Sequence, residues 1–291
     1  MGACLIGNIN DVSRHIREGA DVNQRSDLGE KPGWAPIHAA CKSQNSAVLA
    51  LLLYNGADVN LLTKDGLHPL QIACAEGTKE IVQLLCECGA DVNAFDASGV
   101  APIHNACKSA NSALVSVLLR NGADVNLLAK DGSRPLHIAC AAGAEKFVRI
   151  KREANALNAD EMASLQRAYT GKPQWRSPVA NGVNAHLSTT SGAYPVQENV
   201  VRTLLKHGAD VNAIRKTDGS TPLHLACSLY RQDLVDLLLE QQSNVDTPDF
   251  SGLTALHVVV YSNWWRSTSQ ADYYSIIQSL LKHGADVNAC K

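Results

Sequence analysis

Along residues 66–93, GLHPLQIACAEGTKEIVQLLCECGADVN, the apolar positions fall into two short stripes of helical period. Leu70, Ala73 and Cys74 stand at i, i+3 and i+4. They follow Pro69, which suits a first helical turn because its missing N–H is no loss there. Gly77 stops this stripe. Ile81, Leu84 and Leu85 form a second one, and Gly89 closes it as a left-handed C-cap. The stretch from Asp91 to Gly99 is too short for a helix, and its Asn, Asp and Gly suit a turn. Neither helix can bury its apolar face alone.

The closing string GADVN recurs at Gly19, Gly56, Gly89, Gly122, Gly208 and Gly284, with a worn copy at 242–246. Successive spacings are 37, 33, 33, 86, 34 and 42 residues. A 33-residue period of helix, turn, helix and loop marks a stacked repeat, in which neighbours bury one another's faces. The strings DGSTPLHLAC (218–227) and DGSRPLHIAC (131–140), with the GADVN strings, resemble the ankyrin repeat. The resemblance covers nearly the whole chain. It implies an all-α solenoid of helix–turn–helix units joined by β-hairpin-like loops.

An offset of 66 residues nearly superimposes 33–77 on 99–143, so a pair of repeats reads as one duplicated unit. The resulting division is one domain over 1–291 with about seven repeats behind an N-terminal partial repeat at 1–23. Their bounds are 24–60, 61–93, 94–126, 127–159, 160–212, 213–246 and 247–288. The fourth is degenerate, with ANALNAD (154–160) for GADVNA and Lys151 in place of a core Leu. The fifth rests on an echo between GKPQWRSPVA (171–180) and EKPGWAPIHA (30–39), Trp175 answering Trp34. It carries an insertion around 187–197, and the seventh another at 263–272. A competing division also fits: 86 is 33 plus 53, which would make one repeat with a 53-residue insertion. The chain starts inside a first helix and stops at a repeat boundary, and neither end reads as a polar cap. A segment of a longer array is the expectation.

Composition changes this picture little. Net charge is −2 with pI about 6.5, which argues against a nucleic-acid backbone as main partner, because phosphate binding needs a basic face. No apolar run approaches the roughly 20 residues of a membrane span. The start, MGACLIGNIN, lacks the basic and apolar regions of a signal peptide. Nine cysteines without CxxC fit a reducing compartment, so a cytoplasmic, intracellular location is expected.

Candidate chemistry is repeated, and repetition weakens it. Cys41, Cys74, Cys107, Cys140 and Cys227 hold one repeat position. Packed helices lie roughly 8–10 Å apart, too far for a disulfide, which needs Cα atoms about 4.4–6.8 Å apart, or for a shared Zn²⁺. They read as small buried residues. His38, His104, His137, His224 and His257 likewise share one position. A catalytic base needs one arrangement, not five copies. The resemblance implies that each such His ties its helix start to the adjoining hairpin, and that Thr221 is a helix-starting hydroxyl. Ala35, His68, Ala101 and Arg134 replace that Thr, as does Ser177 in the echo of the fifth repeat, and Gln71 replaces one His; these changes are expected to cost local stability. No HExxH, GxSxG, GxGxxG or Walker-type motif occurs. No enzyme activity, metal or cofactor is expected.

The asparagines closing the GADVN strings (Asn60, Asn93, Asn126, Asn212 and Asn288) each have Leu eight residues upstream. That pattern resembles ankyrin sites modified by asparaginyl hydroxylases, and it coincides with the fold's own hairpin Asn.

What remains is surface. The resemblance implies a concave groove lined by hairpin tips and the exposed sides of the first helices, positions the scaffold itself does not need. Trp34, Leu62, Phe95, Leu128, Ile214 and Phe250 fall at or beside hairpins, and Lys42, Lys108, Ser228, Leu229 and Tyr261 on first helices. The chain has only 14 aromatic residues, so several at groove positions point to interface anchors. Leu62 and Leu128 could instead pack between neighbouring hairpins. Trp264 and Trp265 either cover the core where the solenoid widens or form an exposed anchor. The expected partner is another protein, held by a monomeric scaffold. The alternative is a targeting or regulatory array in a longer chain that carries a catalytic or channel domain.

Overall fold

The computed structural model describes residues 2–26, 33–142, 195–261 and 270–289. Among these, all regular structure is helical. The elements are α1 (Gly2–Leu5), α2 (Ile9–Arg17), α3 (Pro36–Lys42), α4 (Ser46–Tyr54), α5 (Pro69–Glu76), α6 (Lys79–Glu87), α7 (Pro102–Lys108) and α8 (Ser112–Arg120). After them come α9 (Pro135–Ala141), α10 (Pro195–Lys206), α11 (Pro222–Ser228), α12 (Gln232–Glu240), α13 (Ala255–Tyr261) and α14 (Gln270–Lys282).

Most of these helices have seven to nine residues, too few to persist alone in water. Packing holds them. Odd-numbered helices touch in series from α1 to α13, even-numbered ones from α2 to α14, and each odd helix packs on the even one after it. The result is a two-layer stack of seven helix pairs among the described residues. Its core is one continuous cluster, with Ile37, Leu52, Leu85, Leu118, Leu204 and Leu238 fully enclosed or nearly so.

Local chemistry fixes each unit. Proline opens α3, α5, α7, α9 and α11. Asn45 and Asn111 cap the second helices through Val48 and Leu114 amides at 3.0 and 3.2 Å. The turn between paired helices is left-handed, carried by Gly7 and Gly77 in two repeats and by Gln44, Ala110 and Tyr230 in three others. The loops close as hairpin-like turns, with Thr63 N–H donating to Leu67 O at 2.9 Å and Asp96 N–H to Val100 O at 3.0 Å.

The pair α9/α10 joins helices far apart in sequence. α9 packs directly on α10 and on both neighbouring first helices, α7 and α11, while α10 packs on α8 and α12. Asn126 donates to Gly208 O at 3.2 Å and accepts from Asp210 N–H at 2.9 Å. Those bonds match the ones Asn93 makes to Gly122 and Asp124 in the next stacked unit. Residues 127–142 and 195–212 thus pack as one helix pair of the stack, and residues 143–194 between them lie outside the described residues. The Trp175 echo and the insertion at 187–194 lie outside the described residues, as do Trp264 and Trp265.

Candidate protein-binding surface

Two ladders of side-chain hydrogen bonds position the hairpins. The first is made of imidazoles. In His38, Nδ1 accepts the Ala35 N–H at 2.9 Å and Nε2 lies 2.7 Å from Leu61 O on the next hairpin. His104 repeats this with Ala101 and Leu127, at 3.1 and 3.0 Å, and His224 with Thr221 and Leu253, at 3.2 and 2.9 Å. A carbonyl can only accept, so Nε2 carries the proton and the ring is neutral. Burial lowers the pKa of His38, His104, His137 and His224 below 6.5. Gln71 copies the imidazole. Its Oε1 accepts the His68 N–H at 2.9 Å, and its Nε2 donates to Val100 O at 2.9 Å and to Ala94 O at 3.3 Å. The cost expected of this replacement is therefore not a lost bond.

The second ladder is the row of hairpin asparagines. Asn60 donates to Gly89 O at 3.2 Å and accepts from Asp91 N–H at 2.9 Å, tying one turn to the next. Behind both ladders stand the cysteines. Cys41, Cys74, Cys107, Cys140 and Cys227 are fully buried free thiols, and burial pushes their pKa values up, that of Cys140 to about 12. Among the described residues, no group of His, Cys, Asp and Glu has an arrangement able to hold a metal ion.

On this frame residues of the hairpin-like loops alternate inward and outward. Leu61 and Leu127 pack against the core, Thr63 and Ala129 are buried, and the residues between them face outward. Leu62 is 40% exposed, Phe95 45% and Ile214 49%, and Leu128 is half-buried. These four occupy one position on four consecutive hairpins. Phe250 is more exposed, and its ring lies over Gly219 of the preceding tip.

The first helices add fewer groups. Lys42 ends α3 and pairs with Glu76 at the end of α5. Lys108 is exposed at the end of α7, where Ala142 stands at the position answering Glu76. Ser228 and Leu229, at and just past the end of α11, are half-buried. Tyr261 is exposed, and its ring stacks on His257 with centroids 5.9 Å apart.

Trp34 departs from expectation. It is 6% exposed, its ring rests on His38 with centroids 5.9 Å apart, and its carbonyl accepts the Ser26 N–H at 2.8 Å. Burying a large ring removes apolar area from water, and Trp34 packs within the core cluster instead of standing exposed beside its hairpin.

Comparison with known proteins agrees with this architecture. Over 80 residues the chain is 35% identical to the NF-kappa-B inhibitor cactus of Drosophila yakuba, covering 27% of this chain and 16% of that protein. Over 96 residues it is 36% identical to the nuclear factor NF-kappa-B p105 subunit of Gallus gallus, covering 32% of this chain and 9% of that protein. It thus spans only a small part of these relatives. Among solved structures, the human ASB11 ankyrin repeat domain is 22% identical with a TM-score of 0.66, covering 98% of this chain and 97% of that one. The ankyrin repeat domain of Bcl-3 gives a TM-score of 0.61 at 22% identity, covering 88% and 89%. The family model for ankyrin repeats matches residues 1–96, 95–160 and 193–290, most of the chain. With its paired helices, its TPLH-type imidazoles and its GADVN hairpins all in place, this chain belongs to the ankyrin-repeat family.

Proposed function

We propose that this chain is a protein–protein interaction scaffold that holds a partner protein along the concave side of its stack. The observation that carries the reading is the row of Leu62, Phe95, Leu128 and Ile214. Beside them Leu61, Thr63, Leu127, Ala129 and Ala213 pack inward, while Leu62, Phe95 and Ile214 are exposed and Leu128 is half-buried. Apolar and aromatic groups presented in line on a rigid frame suit interface anchors. Lys42, Lys108, Leu229, Phe250 and Tyr261 border the row and complete the surface in this reading. The scaffold is non-catalytic, needs no cofactor, acts as a monomer in the cytoplasm and leaves nucleic acid alone. A net charge of −2 supports the last point, and among the described residues no helix is long and apolar enough to cross a membrane.

The test is site-specific photo-crosslinking in cells. A photoreactive residue at Phe95 or Ile214 should capture a common partner protein, whereas one at exposed Gln83 on α6 should not. Capture from Gln83 alone would move the interface to the convex side.

A second reading has its own support: the relatives are longer proteins. The chain matches 8% of the mitochondrial disaggregase of Bos taurus, at 43% identity over 61 residues. The stack would then target or regulate a catalytic or channel domain in the same polypeptide. The complete reading frame decides this.

A further inference from the structure

The worn closing string at 242–246, QSNVD, departs from GADVN at four of its five positions, and it lies at the joint that carries α14. Gln242 holds φ 61° where Gly56, Gly89, Gly122, Gly208 and Gly284 hold 84–90°, so a residue with a Cβ takes the left-handed backbone. Ser243 replaces alanine, and its hydroxyl is buried with no partner among the described residues. Asp246 replaces the asparagine that ties one turn to the next. Asn60 and Asn93 each donate to a carbonyl and accept an N–H across that gap, but an ionised carboxylate only accepts. Asp246 takes the Asp286 N–H at 3.0 Å and leaves the Gly284 carbonyl without the side-chain donor that Gly89 and Gly122 have. One rung earlier, Asn212 also makes a single contact across the gap among the described residues, accepting the Asn244 N–H at 2.8 Å.

The helix contact beneath this loop is polar too. Ser279 of α14 stands where α4, α6, α8 and α12 carry Leu51, Leu84, Val117 and Leu237. Thr203 holds that position in α10 and bonds within its own helix, to Asn199 O at 2.7 Å. Ser279 instead donates across the joint to Asp236 Oδ1 at 2.7 Å, and Gln232 Nε2 lies 3.0 Å from Ser279 Oγ. The other end of that amide, Gln232 Oε1, is buried with no partner among the described residues. Half-buried hydrogen bonds largely replace bonds to water, so this contact holds α14 less firmly than an apolar side chain would. The α13 side of the joint is better secured. His224 Nε2 donates to Leu253 O at 2.9 Å, Tyr230 OH to Val259 O at 3.2 Å, and Phe250 N–H to Asp218 O at 2.9 Å. We propose that α14 is a detachable helix, which undocks from α12 as a local unit while α13 stays seated on α11. Local openings start where buried apolar contact and bonded backbone are fewest. Undocking uncovers Ile276 and Leu280, both fully buried in the closed stack. Phe250 and Tyr261 remain on the seated part, so the proposal is independent of the scaffold reading.

Native-state hydrogen exchange read by mass spectrometry tests this on the full chain. Amides of α14 should exchange at least about tenfold faster than those of α12 and α13. Asp246→Asn restores the missing donor, so it should slow exchange in α14 about fivefold and leave α4 and α8 unchanged. Adding Gln242→Gly and Ser243→Ala should slow it further. The mirror substitution, Asn93→Asp, should hasten exchange in the helices on either side of its own rung. Protection of α14 equal to that of α12 overturns the proposal. So does joint exchange of α13 and α14, which would make the whole pair the opening unit. An Asp246→Asn variant whose α14 exchanges at the wild-type rate overturns it as well.

Discussion

At the scale of single residues, the buried imidazoles make stability depend on pH. His38, His104, His137 and His224 fold as neutral rings with pKa values below 6.5. A base with a depressed folded pKa favours the native state above the unfolded pKa, and that advantage disappears as pH falls through the folded value. The melting temperature should therefore be flat near about pH 7.5 and fall as pH drops below about 6.5. The chain supplies its own control in Gln71, which makes both bonds without titrating. His104→Gln should cost less than about 1.5 kcal/mol near neutral pH, since both bonds survive, and should reduce the acid slope. A slope left unchanged in thermal melts would show that the imidazoles do not carry it. The thiols give a second residue-scale expectation. Among the described cysteines, exposed Cys88 should react first with a thiol reagent, while Cys41, Cys74, Cys107, Cys140 and Cys227 stay silent until the protein unfolds. Native reactivity in that ladder would contradict its burial.

At the scale of elements, five of the described helix pairs are joined by a left-handed turn. Ala110 holds φ 56° between α7 and α8, where Gly77 holds φ 84° in the repeat before it. Left-handed backbone costs an L-residue roughly 1–2 kcal/mol, and the greater freedom of glycine when unfolded returns part of the gain from replacing it. Ala110→Gly should therefore stabilise the protein by up to about 1 kcal/mol. Denaturant melts showing a loss of stability would mean the turn relaxes around alanine. The helix faces carry larger effects. Leu118 is 0% exposed in the middle of α8, and Leu118→Ala should cost about 2–5 kcal/mol through the cavity it leaves. Asn93 links two hairpins with both ends of its amide. Asn93→Ala removes those bonds at the surface, so its cost should be smaller, about 1–2 kcal/mol.

At the scale of the whole molecule, the stack was readable because its signals are local and repeated. Pro69, the Leu70–Ala73–Cys74 stripe and the Gly77 stop describe α5 without any tertiary information, and the GADVN strings mark where each pair ends. Two features were not readable that way. Trp34 looks like a surface anchor beside a loop, and only its packing against His38 shows that the ring is buried. The pairing of α9 with α10 is set by contacts across a long gap in sequence, which a period cannot weigh against a plausible echo at Trp175. The stretch 199–212, NVVRTLLKHGADVN, carries a second-helix pattern. The groove was half legible. Their place beside the hairpins marked Leu62, Phe95 and Ile214 as surface candidates, but their alignment into one row needed the stacked hairpins. That row is the central claim. With the partner captured by crosslinking at Phe95 in hand, the most direct test is its affinity for wild type and Phe95→Ala, measured by calorimetry alongside their melting curves. The account predicts affinity lost by about 2 kcal/mol or more, roughly thirtyfold, with the melting temperature nearly unchanged. Full affinity in the variant, or a stack that unfolds without that ring, would contradict it.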